Sequence, residues 1–107
     1  MSIDDFCINR SVVVRSGDAG IWCGTLKRKD GDEVILENAR RMWSCWWAES
    51  ISLSAIVVYG INQSRSKVCA PIPEVWMQVE EIMPISGKPL ESIMEAEIAK
   101  AEDLSRG

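Results

Sequence analysis

Between residues 11 and 85, the apolar positions form short strand-like patterns separated by turn residues. Residues 11–15 contain the β-branched run Val12-Val13-Val14, and the turn-forming residues 17–20 follow them. Residues 21–27 and 33–39 are apolar segments on either side of Asp30-Gly31, a dipeptide that supplies the positive φ of a hairpin turn. The pattern therefore predicts one strand followed by a β-hairpin.

The later part of this region predicts further strands. Residues 51–59 alternate in apolar character and end at Gly60, as a strand would. Residues 68–70 form a short extended piece, and Pro71 and Pro73 after it indicate an edge strand or a linker. Residues 74–85 alternate unevenly, with Val75 and Met77 on one side and Trp76 on the other. A bulge near residues 80–81 would join the two halves of this segment.

Apolar residues after Pro89 recur at helical spacing, which predicts one amphipathic helix over residues 88–104. Residues 1–10 carry no clear period, and we expect them to be a loosely held lead-in. The predicted fold class is mainly β, a β-rich α+β domain spanning residues 1–107. Its core, residues 11–85, is predicted to be a small antiparallel barrel or bent sheet of five to six strands, followed by the C-terminal amphipathic helix.

Length and composition indicate one globular, non-membrane domain. The chain has 107 residues with 47% hydrophobic and 26% charged residues. No apolar run reaches the roughly 18 residues needed to cross a bilayer, and the N-terminus is acidic, unlike a signal peptide. The four cysteines are far apart in the sequence, so we expect them to be reduced and mostly buried, and the protein to lie in the cytoplasm.

Charge and residue types exclude several kinds of chemistry. Residues 1–73 hold nine Lys or Arg and eight Asp or Glu, whereas residues 74–107 hold three and eight, so the acidity lies in the tail. This balance argues against strong non-specific nucleic-acid binding. The chain has no histidine, which excludes Ser-His-Asp and Cys-His arrangements, and no closely paired cysteines that favour zinc. We therefore expect a non-catalytic protein without a metal or cofactor.

The unusual segment is residues 39–48, which contains Arg40, Arg41 and the tryptophans Trp43, Trp46 and Trp47. As an extended strand it would place Arg41, Trp43 and Trp47 outward, with residues 42 and 46 inward. As a helix it would place its apolar residues on one broad stripe, and the outward recognition face would largely vanish. A small domain has difficulty burying several neighbouring indoles, so we expect at least one to be exposed or to lie in an interface.

A second basic group, Lys27 and Arg28, lies near the predicted hairpin turn. If the turn lay beside Arg40 and Arg41, the two groups would form one positive patch. Indole rings stack on bases and arginine forks bind phosphates, so these residue types suit a nucleotide-type ligand. The predicted ligand-binding residues are Arg40, Arg41, Trp43, Trp47, Lys27 and Arg28.

The same residue types form hot spots of protein interfaces, so a module that binds and inhibits a host protein is an open alternative. Single-stranded nucleic-acid binding is a third interpretation, and it would show a steep salt dependence. The tryptophan group and the apolar helix stripe exceed what one small barrel can bury. We therefore also expect a homo-oligomer.

Residues 20–26 and 34–41, followed by residues 51–54, 59–61 and 68–71, resemble an uncharacterised family of small bacteriophage-encoded proteins over about residues 11–85. That resemblance implies a viral origin and the host cytoplasm, but no mechanism. The analogy of small non-enzymatic phage proteins suggests counter-defence by sequestering a host signalling nucleotide. Residues 24–26 and 36–39 also resemble the first motif of Sm-like small barrels. The N-terminal helix and the second motif usual in that group are missing.

Overall fold

The computed structural model describes residues 5–17, 19–44, 53–63 and 66–99. Within these residues, no helix is both long and apolar enough to span a bilayer. In chain order the elements are β1 (Ser11–Ser16), β2 (Gly20–Asp30), β3 (Glu33–Ser44), α1 (Leu53–Tyr59), β4 (Lys67–Val68), β5 (Ile72–Gln78), β6 (Glu81–Pro84) and α2 (Gly87–Met94).

The six strands form one antiparallel sheet in the order β4-β3-β2-β1-β6, with β5 also paired to β3. Strands β5 and β6 therefore lie at opposite ends of the strand order, although only residues 79 and 80 separate them in sequence. Three residue steps span at most about 11 Å, so the two edges must converge at this point. The sheet is consequently strongly bent, which confirms the predicted mainly-β fold class and the bent-sheet alternative.

Two apolar cores lie around this sheet, and β1 contributes to both. Val12 and Val14 pack in the first core with residues from β2, β3 and β5, while Val13 packs in the second core with residues from both helices. A strand buried on both faces reads as a continuous apolar run instead of an alternating one. This explains why Val12-Val13-Val14, all fully buried, stand in succession.

The predicted hairpin is present, and its second strand is longer than expected. Asp30 pairs with Glu33, which leaves Gly31 and Asp32 as the turn, and Gly31 has a φ of +60°. Strand β3 continues to Ser44, so the first part of the tryptophan-rich segment is extended and not helical. Met42 is buried, as the extended interpretation requires.

The strand predicted over residues 51–59 is wrong, because residues 53–59 form the helix α1. Ile56 is fully buried in the second core, whereas Val58 and Tyr59 at the end of the helix are exposed. Gly60 ends the helix with a φ of +83°, and its N–H donates to the Ile56 carbonyl. The glycine is therefore a helix C-cap, a role that its position after an apolar run does not distinguish from the end of a strand.

Three further boundaries differ from the sequence predictions. Residues 5–10 are held against the sheet, since Cys7 is buried and the Asn9 N–H donates to the Leu26 carbonyl at 2.7 Å. The expected bulge near residues 80–81 is instead the connection between two separate strands, β5 and β6. Helix α2 ends at Met94 and residues 95–99 are not helical, while the last part of the predicted helix, residues 100–104, lies outside the described residues. Residues 97–99 then run beside β4, where Val68 pairs with Ile98 in parallel.

Candidate functional site

Arg40 lies inside the fold, with only 2% of its surface exposed. Its guanidinium donates to five backbone carbonyls. Nε lies 2.8 Å from Cys69 O, and Nη1 lies 2.9, 3.2 and 2.7 Å from the carbonyls of Ile93, Met94 and Ala96, while Nη2 lies 3.4 Å from Val68 O. The side chain therefore joins β4 to the C-terminal end of α2.

Carbonyl groups at the end of a helix have no donors within the helix, and a cation there also complements the helix dipole. Burial lowers the pKa of Arg40, and the neighbouring Cys69 and Cys23 oppose that shift. Among the described residues its five hydrogen-bond acceptors are all backbone carbonyls, so carbonyl dipoles stabilise the charge without a carboxylate partner. The predicted ligand-binding role of Arg40 is thus replaced by a structural one.

The other predicted cations are not gathered into one patch. Arg28 pairs with Ile35 and Arg41 pairs with Trp22, six residues apart along β2, which corresponds to roughly 20 Å. Lys27 forms ion pairs with two glutamates: its Nζ lies 3.1 Å from a carboxylate oxygen of Glu37 and 4.0 Å from one of Glu74. The proposed merging of the two basic groups is therefore wrong.

The tryptophan segment is only partly described. Arg41 is half-buried, and a Cβ at Gly20 would lie 3.5 Å from its Nη2 atom, so the guanidinium lies over the start of β2. The side chain of Trp43 and the whole of Trp47 lie outside the described residues. Their predicted exposure and ligand-binding roles stay predictions.

A different aromatic residue is exposed on the outside of the sheet. Trp76 in β5 has 69% of its surface exposed. It lies directly opposite Ile35 of β3, which lies directly opposite Arg28 of β2. Neighbouring strands are about 4.8 Å apart, so the backbones of Arg28 and Trp76 lie about 10 Å apart. An indole, an aliphatic side chain and a guanidinium thus form one row across three strands.

Charged residues lie on both sides of this row. Asp30 and Glu33 are paired toward the hairpin turn, and Glu37 and Glu74 are paired on the other side with Lys27 between them. The ammonium of Lys27 offsets the repulsion of the two directly opposed carboxylates. We call this surface the outer face; it consists of Lys27, Arg28, Asp30, Glu33, Ile35, Glu37, Glu74, Trp76 and Gln78.

The outer face includes a shallow cavity of about 190 Å³. Arg28, Ile35 and Trp76 line it together with Lys29, Asp30, Glu33 and Val34. Two of its side chains are basic and two are acidic, so the lining carries no net charge. The arrangement can enclose an apolar or aromatic group between opposite charges.

Sequence reasoning missed Trp76 as a site residue, although the signal was present. Alternation in residues 74–78 places Trp76 on the side of Glu74 and Gln78, opposite Val75 and Met77. A tryptophan on the polar side of a strand is expected to be exposed. The three tryptophans within residues 43–47 are the stronger signal in the sequence.

The described residues offer little other chemistry. Cys7, Cys23 and Cys69 are free thiols, while Cys45 lies outside the described residues. Burial raises the pKa of Cys23 to about 12, so this thiol is protonated and unreactive at neutral pH. In residues 5–17, 19–44, 53–63 and 66–99, no three Cys, Asp or Glu side chains are placed to hold a metal ion.

Comparison with known proteins gives a family but no activity. A family model described as a domain of unknown function, DUF6948, matches residues 9–93. No curated protein and no solved structure shows significant similarity to the chain. The match covers the whole sheet and nearly all of α2, including every residue of the outer face.

Proposed function

Because this chain belongs to the DUF6948 family, which is defined without a function, we propose its function from the outer face alone: the protein is a non-catalytic module that binds another protein there. The observation that carries the proposal is the exposure of Trp76 at one end of the row that it forms with Ile35 and Arg28. Trp and Arg are the residue types most enriched in interface hot spots.

The energy available from Trp76 is large for one side chain. A tryptophan can bury 150–250 Å², and 69% of its surface is exposed here, so roughly 100–170 Å² is open to a partner. At about 25 cal/mol per Å², covering it stabilises a complex by roughly 2–4 kcal/mol before the cost of association. That magnitude corresponds to a factor of about 30 or more in affinity.

The charges around the row favour a protein partner over a polyanion. Lys27, Arg28 and Lys29 are balanced by Asp30 and Glu33, and by Glu37 and Glu74 beside them. A mixed-sign rim around an apolar centre is typical of protein–protein interfaces. Phosphate groups would be repelled by the four carboxylates. Of the two predicted ligand-binding residues in β2, Lys27 forms ion pairs with Glu37 and Glu74, which leaves Arg28 to contact a phosphate.

Affinity purification from cells that express the tagged protein tests the proposal. The test variant is Trp76→Ala, and the matched control is Tyr59→Ala, which removes another exposed aromatic ring, 56% exposed, from α1. Wild type and Tyr59→Ala should retain the same protein partner in stoichiometric amount, whereas Trp76→Ala should lose it. Both substitutions are at exposed positions, so the thermal midpoint should change little in either variant.

Equal retention by Trp76→Ala and Tyr59→Ala would exclude the outer face as the binding surface. Loss of the partner from both variants would show that binding does not depend on Trp76 specifically. A purified complex that forms with wild type and is weakened at least about 10-fold by Trp76→Ala would support the proposal quantitatively.

A nucleotide-type ligand is the second candidate, and one observation favours it. Arg28 and the Trp76 ring line the same cavity of about 190 Å³, so a base could stack on the indole while a phosphate contacts the guanidinium. A thermal-shift screen with cyclic and linear nucleotides tests this, and any stabilisation should be lost in Arg28→Ala. A phage origin, the host cytoplasm and counter-defence stay predictions.

A further inference from the structure

Strand β5 has an open hydrogen-bonding edge, and one bond fixes which residues form it. The Val79 N–H donates to the Asp32 carbonyl at 2.8 Å, at the end of the β5–β3 ladder. Hydrogen-bonded pairs alternate along an antiparallel ladder, so the backbone groups of Val75 and Met77 also point toward β3. The N–H and C=O groups of Glu74, Trp76 and Gln78 therefore point away from it.

These outward groups have no hydrogen-bond partner in the described part of the chain, where β5 pairs with β3 alone. Pro73 is the proline in β5, and its backbone nitrogen faces β3. The N–H that proline lacks is therefore missing from the β3 side, and the open edge loses no donor. An unprotected edge that also carries an exposed tryptophan is a template for another strand.

Strand β6, at the other end of the strand order, has features that hinder its edge from pairing with another strand. The Ile85 N–H donates to the Ser11 carbonyl at 3.0 Å, which by the same alternation points the backbone groups of Ile82 and Pro84 outward. Pro84 has no N–H to offer there, and the neighbouring Glu81 is held by an ion pair with Arg15 at 2.8 Å. In the described part of the chain, the edge of β6 thus lacks one backbone donor, at Pro84, whereas Glu74, Trp76 and Gln78 of β5 each present both an N–H and a C=O.

We propose that a second copy of this chain pairs with β5 through this edge, antiparallel and about a two-fold axis, with Trp76 opposite the second copy's Trp76. The same register places Glu74 opposite Gln78 of the second copy, and Gln78 opposite its Glu74. Each of these pairs can exchange both backbone hydrogen bonds, because all of the groups involved point toward the edge.

The register is self-complementary in its side chains as well. Glutamate can accept a hydrogen bond from the opposing glutamine amide, so no like charges face each other directly. The two indoles meet as a cross-strand aromatic pair, which stabilises antiparallel strands. On the inner side, Val75 lies opposite Met77 of the second copy, and both are apolar. A two-fold interface requires such matching of a surface with itself.

The pairing joins two outer faces into one continuous surface. The row Arg28–Ile35–Trp76 is repeated in reverse order across the axis, so a partner protein would meet two tryptophans at its centre. This inference rests on backbone geometry and is independent of the proposed function, since the edge can pair whether or not a different protein binds the outer face.

Sedimentation velocity over a range of protein concentrations tests the pairing. Gln78→Glu places a carboxylate opposite Glu74 twice in the dimer and should weaken dimerisation by roughly 3- to 10-fold, since like charges directly opposite each other are destabilising. The double variant Glu74→Gln/Gln78→Glu exchanges the two side chains and should restore the wild-type constant. The matched control is Glu91→Gln, which removes the charge of an exposed glutamate on α2, an element that does not pair with β5.

A wild-type protein that stays monomeric at about 100 μM would overturn the proposal. A dimer that is unaffected by Gln78→Glu, or that the double variant fails to restore, would also overturn it, because the contact would then lie elsewhere or in another register. A monomer that binds a different protein in a Trp76-dependent way would assign the edge to that partner and leave the proposed function standing. A dimer with the expected charge dependence but no other protein partner would support the pairing of β5 and count against the proposed function.

Discussion

Replacing Arg40 with alanine removes the hydrogen-bonding centre that holds the end of α2 to β4. Three of its contacts are short, to the carbonyls of Cys69, Ile93 and Ala96 at 2.7–2.9 Å. Alanine leaves these carbonyls without their donor and opens a space where the side chain was. Water can reach some of them, since several of the contacts are only partly buried.

The cost follows from these three bonds. A hydrogen bond to a charged group contributes about 1.5–3 kcal/mol, so three at the lower value give about 4.5 kcal/mol. Removing a buried charge also recovers part of its desolvation cost, which lowers the expected loss to about 3–4 kcal/mol. Since small domains are stable by only about 5–15 kcal/mol, the variant should be close to the limit of folding at 37 °C.

Urea unfolding measures this loss, with Arg28→Ala as the matched control. Arg28 is exposed and forms no ion pair in the described part of the chain, so its removal should change stability by no more than about 0.5 kcal/mol. Hydrogen exchange gives a local readout, because the Ala99 N–H bonds to the Val68 carbonyl and should lose protection first in Arg40→Ala. A loss below about 1 kcal/mol with unchanged protection of Ala99 would refute the reasoning.

Two further predictions concern stability. A Cβ at Gly60 would lie 2.5 Å from Ser92 Oγ at a φ of +83°, so Gly60→Ala should cost at least about 1 kcal/mol more than Gly31→Ala. At Gly31, with a φ of +60°, nothing lies within 4 Å. Thermal unfolding of both variants checks this, and equal midpoints would contradict it. Burial raises the pKa of Cys23 from 9.0 to about 12, so the folded state holds this proton more tightly and its contribution is lost as the pH rises above 9. Between about pH 8 and about pH 10.5, wild type should lose roughly 1–2 kcal/mol more than Cys23→Ala. Identical losses would show that the thiol is not shielded.

The strands of the first half could be predicted because their signals are local. Val12-Val13-Val14 and the Asp30-Gly31 turn determine β1 and the β2–β3 hairpin through backbone preferences and nearby pairing. The helix α1 could not be predicted in this way, since its apolar run alternates like a strand and the residues that Ile56 packs with in the second core come from distant segments. The carbonyls at the end of α2 accept hydrogen bonds from Arg40, which lies more than fifty residues away in sequence, so no local pattern shows this contact.

The candidate site was predicted only in part, for a similar reason. Lys27 and Arg28 do lie on the outer face, but no local pattern shows that Glu37 and Glu74 engage Lys27. Arg40 looked like an exposed cation because the carbonyls that surround it come from distant segments. Trp76 could have been found from alternation alone, and its exposure carries the proposed role of the outer face.

Site-specific photo-crosslinking in living cells tests the central claim, that the outer face is a binding surface. A photoreactive phenylalanine analogue replaces Trp76 in one protein and, as the control, Tyr59 in another, since both native side chains are exposed aromatics. We expect position 76 to form discrete adducts, one with the mass of two copies of the chain and one with a different protein, and position 59 to form neither. Adducts that are no more abundant at position 76 than at position 59 would contradict the claim.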